Sequence, residues 1–221
     1  MKSVAVIDCA IERLSIHCYN RLVHHFNIPF TFHYPPQLGI DSLRKSKDSA
    51  YIIFGSISNV CDRLEWQVEL AEIMKEKLEA GIPVLGICFG HQLMADALGC
   101  SVEKNDENRY NEGSRKYKIL TSHMGLNAGE ELNIITSHGY EVKTLTEDFI
   151  HLGTSQECRY DALAHKKFPL LSVQGHPEAS DFFVEELECK PQDHEKLLAQ
   201  RDGMKLIELF LKFAGTLPQN L

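Results

Sequence analysis

The sequence predicts an α/β fold: three layers, with a mainly parallel central sheet flanked by helices and a small antiparallel addition. Three observations predict it. Apolar runs of strand length at 3–8, 51–54 and 83–87 alternate with longer stretches of helical periodicity. The runs are continuous rather than alternating, as in strands covered on both faces. Their order, strand and helix by turns, is that of parallel crossovers.

The elements follow in sequence. Residues 3–8 read as the first strand. Ile11, Leu14, Cys18, Leu22 and Phe26 recur every three or four residues and predict a helix. Residues 30–34 are a second strand, stopped by Pro35-Pro36, and 51–54 a third, ending in the loop Gly55-Ser56-Ile57-Ser58-Asn59. Residues 62–80 predict an amphipathic helix with Leu64, Val68, Ala71, Met74 and Leu78 on its inner face, closed by Gly81 and Pro83. The strand at 83–87 passes directly into a helix at 90–98, which Gly99 ends. The polar segment 103–115 reads as a surface loop. Strands at 117–121, 132–136, 149–154, 162–165 and 170–174 suggest antiparallel excursions that rejoin the main sheet. Residues 181–213 are helical, broken at Cys189-Lys190-Pro191, with apolar residues from Leu197 to Phe213 packing on the layers. No Gly/Ser/Pro linker or repeat interrupts the chain, so one domain is expected over 1–221.

Composition excludes several classes. The chain has 221 residues, 43% hydrophobic and 24% charged, as in a folded globular protein. Its 23 Lys and Arg against 31 Asp and Glu give a net charge of −8, so no nucleic-acid partner is expected. No apolar run reaches membrane-spanning length, and no signal peptide precedes the first strand. Seven cysteines without a repeated CxxC predict free thiols, mostly buried, and a cytoplasmic setting. Eleven histidines show no zinc spacing, so neither a metal nor another cofactor is expected.

The chemistry concentrates at Gly86-Ile87-Cys88-Phe89-Gly90-His91-Gln92. A buried strand ends, a residue sits on a sharp turn between glycines, and a helix begins. This is the nucleophile-elbow arrangement with Cys in place of Ser. It puts a thiol at the carboxyl end of the sheet and at a helix N-terminus, which favours thiolate. Val173-Gln174-Gly175-His176-Pro177-Glu178 supplies partners: His176 as base, and Glu178, two residues on in an extended segment, to orient it. Cys88 as a packed core thiol, His176 as a strand-end polar residue and Glu178 as a first-turn charge are the structural alternatives. His91 reads as a helix-surface residue.

With these residues in place, the chain resembles the class I glutamine amidotransferases. GICFGHQ matches their elbow, QGHPE their late His-Glu motif, and Ser137-His138-Gly139-Tyr140-Glu141-Val142 a third stretch, most like the glutaminase domain of GMP synthases. The resemblance runs from Val4 to about Glu178. It implies a flavodoxin-like glutaminase fold. It further implies that Cys88 attacks the glutamine amide carbon, giving a thioester and ammonia, which water converts to glutamate. The oxyanion would be held by the N–H of Phe89 and one from Gly55-Ser56, and the amino-acid end of the substrate by Gly55, Gln92, Ser137, His138 and Gly139.

Departures stand beside the matches. The family's second loop glycine is Ser56 and its proline Ile57, which puts the second oxyanion donor in question if Ser56 needs positive φ. The Asp of the third stretch is Tyr140. Gly175, where GMP synthases carry Phe, is shared with γ-glutamyl peptidases and suggests room behind His176. Three functions therefore stay open: an ammonia-producing subunit for a separate synthetase, a stand-alone hydrolase of γ-glutamyl small molecules, and an inactive regulatory relative.

Overall fold

The computed structural model describes residues 2–105 and 109–218. Eleven strands and seven α-helices lie among them. A nine-stranded sheet runs in the order β2-β1-β3-β4-β11-β10-β9-β6-β7. Its parallel half comprises β1 (Val4–Ile7), β2 (Phe30–His33), β3 (Ala50–Ile53), β4 (Val84–Ile87) and β11 (Leu170–Val173). Antiparallel pairing then adds β10 (Ala162–His165), β9 (Phe149–Thr154), β6 (Asn111–Ile119) and β7 (Glu131–His138). A separate antiparallel pair joins β5 (Ser101–Lys104) to β8 (Tyr140–Thr144).

Alternation along the strands makes the three layers. Val4, Val6, Ile52, Leu85, Ile87 and Val173 face one core, shared with α1 (Ile16–His25) and α7 (Asp193–Phe213). Ala5, Ile7, Tyr51, Ile53 and Val84 face the other, shared with α4 (Glu65–Glu79) and α5 (Phe89–Ala97). Two short helices, α2 (Pro35–Leu38) and α3 (Asp41–Lys45), follow β2, and α6 (Asp181–Glu185) precedes α7.

Several expectations are corrected. The first helix begins only at Ile16, because the Asp8 carboxylate accepts from the N–H groups of Ala10 and Ser15 and holds the chain between them as a loop. Pro35-Pro36 opens α2 rather than merely stopping β2, a favourable use of proline at a first turn. The inner face of α4 is Gln67, Leu70, Ile73, Met74 and Leu78, whereas Leu64 and Val68 are each 41% exposed. Gln67 sets that phase: its amide donates to Ser58 Oγ (2.6 Å) and Asn59 O (3.0 Å), so a polar residue occupies the buried stripe. The segment 103–115 is not one loop. Residues 103–104 lie in β5 and 111–115 in β6, while 106–108 fall outside the described residues. Leu197 and Phe213 point to solvent instead of the core.

Candidate active site

Cys88 sits at the turn from β4 into α5 with φ 50° and ψ −100°, a conformation L-residues rarely adopt. Its backbone is held at both ends, by its N–H on Val173 O (2.9 Å) and by its carbonyl receiving Gln92 N–H (3.1 Å). The flanking glycines are required by contact. A Cβ on Gly86 would lie 2.6 Å from Gly90 O, and one on Gly90 2.6 Å from Ile53 O. The strand, the turn and the helix start are thus pressed backbone to backbone, which fixes the sulfur over the first turn of α5.

His176 and Glu178 approach from the end of β11. His176 Nδ1 donates to Glu178 Oε1 at 2.9 Å, leaving Nε2 for the thiol. Both residues are buried. Burial alone would depress the His176 pKa, yet the Glu178 carboxylate and the Cys88 sulfur beside it hold it well above the usual imidazole value. Gly55 completes this wall: a Cβ there would meet His176 Cε1 at 2.7 Å and Cys88 Cβ at 3.5 Å. The structure therefore brings Cys88, His176, Glu178 and Gly55 together.

Phe89 opens α5, so its N–H lacks a partner within the helix and is available beside the sulfur. Ser56 is not among the residues with positive φ, so the feared strain is absent there; its Oγ accepts from Ser58 N–H (3.0 Å). Gln92 and Ser137 reach the site, and Ser137 O lies 3.7 Å from Cys88 Sγ. The Gln92 amide is already committed, donating from Nε2 to Tyr140 O (2.7 Å) and Gln174 Oε1 (3.1 Å). The His138 ring is buried and turned to Arg115, with Nε2 2.7 Å from the guanidinium.

Two cavities meet at Cys88. One, of about 450 Å³, is lined by His176, Glu178, the loop 10–15, His17 and Cys18 of α1, Phe182 and Phe183. The other, of about 390 Å³, is lined by Gln92, Lys104 and the 137–140 backbone. Ser56, Ile57, Cys88, Tyr110 and Ser137 border both. His176 lies on the wall of the first cavity and Gln92 on that of the second.

Two readings are overturned here. His91 is fully buried, its Nδ1 2.9 Å from Ser172 Oγ, and burial lowers it to about 3. Gly175 leaves no room for substrate. A Cβ there would lie 2.5 Å from the Tyr117 hydroxyl and 2.6 Å from Ile135 O, so the glycine is needed where β11 meets the antiparallel strands. Sequence reasoning missed Gln67, Lys104, Tyr110, Arg115 and Gln174; of these only Gln174 carried a signal, as the first residue of QGHPE. It also missed Gly203, whose absent side chain lets α7 lie on the backbone of Pro177.

Among the described residues there is no group of three or more His, Cys, Asp and Glu that could hold a metal ion, and no helix long and apolar enough to cross a membrane. All seven cysteines are unpaired, five of them buried.

The glutamine amidotransferase class-I family model matches residues 5–181, and the chain belongs to that family of enzymes. Among curated relatives, a glutamine-hydrolyzing GMP synthase subunit of Methanospirillum hungatei is 36% identical over 52% of this chain and 61% of its own. The corresponding protein of Archaeoglobus fulgidus is 40% identical over 48% of this chain and 59% of its own. The matches thus span about three fifths of these relatives' length. A solved glutamine amidotransferase from Thermotoga maritima superposes with a TM-score of 0.75, covering 96% of this chain and 97% of that one at 18% identity. That likeness supports the three-layer fold.

Proposed function

We propose that this chain is a glutaminase-type enzyme in which Cys88 attacks the γ-amide carbon of glutamine. The observation that carries this reading is the strained thiol at the head of α5 with a buried, carboxylate-oriented imidazole beside it. His176 takes the thiol proton, and the thiolate adds to the carbonyl carbon of the side-chain amide. The oxyanion is held by Phe89 N–H and a donor from Gly55-Ser56. The C–N bond then breaks as His176 returns the proton to nitrogen, releasing ammonia and leaving a γ-glutamyl thioester. Water, deprotonated by His176, hydrolyses the thioester to glutamate. Glu178 orients the ring and stabilises the imidazolium.

In the smaller cavity the substrate's amino-acid end meets Gln92, whose engaged Nε2 leaves Oε1 as an acceptor for the α-ammonium. Lys104 supplies charge for the α-carboxylate, and the backbone of Ser137, His138 and Gly139 completes the wall. The resemblance to glutamine-hydrolyzing GMP synthase subunits supports an ammonia-receiving synthetase as partner. Seven unpaired cysteines fit a reducing compartment such as the cytoplasm.

A second reading rests on the cavity on the His176 side. About 450 Å³ is far more than ammonia needs, and it would admit the amine portion of a γ-glutamyl compound. Glutamate release from glutamine and from a γ-glutamyl dipeptide, measured side by side, separates the two. Faster turnover of the dipeptide favours the stand-alone hydrolase. Turnover of glutamine alone, raised by a synthetase, favours the ammonia-producing role. Release from neither, with or without a synthetase, would overturn both.

A further inference from the structure

Behind the Gln92 side of the site lies a buried polar cluster that the reaction steps above leave without a role. Arg115 on β6 and Asp161, just before β10, form an ion pair at 3.1 Å, their side chains 5% and 0% exposed. Burial pushes the Asp161 carboxyl up to about 6 despite the guanidinium. Such a pair is a poor device for stability, since apolar residues of similar volume commonly serve as well. Its hydrogen bonds lead elsewhere.

Arg115 donates to His138 Nε2 at 2.7 Å. Burial and that cation hold His138 down to about 3, so the ring is neutral. With Nε2 accepting, the single ring proton sits on Nδ1, which donates to Tyr140 O at 3.0 Å. The same carbonyl accepts from Gln92 Nε2 at 2.7 Å, and Gln92 Nε2 also donates to Gln174 Oε1 at 3.1 Å. Gln174 is linked to the same aspartate through the main chain, its N–H on the Asp161 backbone carbonyl at 2.8 Å, while its amide reaches Cys88 Sγ at 3.8 Å. A side-chain route from the ion pair and a main-chain link from Asp161 therefore converge on the pair of glutamines beside the sulfur. If His138 carried its proton on Nε2, its Nδ1 lone pair would face the Tyr140 carbonyl, and the Gln92 amide would lose the reference that fixes which end it turns to the cavity.

We propose that Arg115, anchored by Asp161, is a positioning residue: by fixing the His138 tautomer it sets the Tyr140 carbonyl and thereby the orientation of Gln92 toward the amino-acid end of the substrate. The inference rests on the glutaminase reading of Cys88.

The test compares two double variants, so that no charge is left buried alone. Arg115→Met/Asp161→Asn removes the donor to His138, and Arg115→Gln/Asp161→Asn retains one. The first is expected to raise KM for glutamine by about 10-fold or more with kcat little changed. The second should bring KM back toward the wild-type value. Alkylation of Cys88 by iodoacetamide, which has no amino-acid end, should be the same in all three proteins. Equal KM in the wild type and the Met variant, or a KM raised equally in both variants, would overturn the proposal. If the Met variant does not fold, nitrogen NMR of the wild type decides: a neutral Nδ1-protonated His138 from pH 5 to 8 supports it, and an Nε2-protonated or titrating ring sinks it. Wild-type protein that alkylates at Cys88 yet never turns over glutamine would instead count against the glutaminase reading, which the NMR result does not depend on.

Discussion

Cys88 stands between two walls built differently. The wall from the parallel half, carrying Gly55, Cys88 and His176, is set by backbone contact and apolar packing: Gly86 on Gly90, Gly90 on Ile53, and Gly203 of α7 on Pro177. The wall from the antiparallel strands, carrying Ser137 and His138 of β7 and Tyr140 of β8, is set by buried polar groups: Asp161, Arg115, His138 and the two glutamines. The difference matches what the proposed glutaminase reaction asks of each. A nucleophile and its base need fixed positions, which close packing provides. Recognition of an amino acid needs oriented dipoles, which a satisfied hydrogen-bond network provides.

If packing sets the first wall, one methyl group should break it. Gly55→Ala puts a Cβ 2.7 Å from His176 Cε1, and the ring cannot retreat because Phe183 lies 4.5 Å away on centroids. A fall in kcat of about 10²-fold is expected with the unfolding midpoint nearly unchanged. An activity assay and a urea titration on the same preparation check both parts.

The opposite face of the same half gives a stability contrast. Leu70→Ala, fully buried on α4, should cost about 2–5 kcal/mol. Val68→Ala, on the exposed flank, should stay within about 0.5 kcal/mol. Equal losses in urea unfolding would restore the apolar face expected from spacing alone.

Glu178→Gln sharpens the electrostatic side of the comparison. The carboxylate holds the His176 pKa up, so its loss should move the alkaline limb of kcat/KM, on which the imidazolium loses its proton, to lower pH. A reduction in kcat of up to about 10⁴-fold is expected, since an amide no longer fixes the tautomer of the ring or stabilises its imidazolium. An unmoved limb would remove Glu178 from the base.

The smallest effect concerns acid stability. Burial keeps His91 neutral, its pKa lowered to about 3, while the unfolded chain takes up that proton near 6.5. A depressed histidine leaves stability intact above pH 6.5 and erodes it as pH falls, by about 1.4 kcal/mol per pH unit for one group. His176 works in the opposite sense: its raised pKa contributes stability below 6.5 that is lost as pH rises through the folded-state value. His91→Gln should therefore flatten the decline between pH 6.5 and 5, as read by urea midpoints.

The two walls also differ in how legible they were. The elbow could be read because glycine spacing reports backbone crowding, and Cys88, His176 and Glu178 do come together. Continuous apolar runs likewise placed β1, β3 and β4. The polar wall was hidden for a physical reason. In β6 the inward positions are Gly113, Arg115, Tyr117 and Ile119, and a charged residue facing inward makes a strand look like a loop. Gln67 disguised the inner face of α4 in the same way. His91 was misread because the first seven residues of α5 are buried on every side, leaving no polar face to define a surface. Gly175 suggested room, but Tyr117, distant in sequence, fills it.

The most direct test is which thiol reacts. A chloroketone analogue of glutamine, followed by peptide mapping, reports on all seven cysteines at once. One equivalent on Cys88 is expected, slowed by glutamine and absent from Cys88→Ser, with the exposed Cys61 and Cys189 untouched. Labelling of Cys61 or Cys189 with Cys88 unmodified, or labelling that glutamine does not slow, would contradict a glutamyl site at the head of α5.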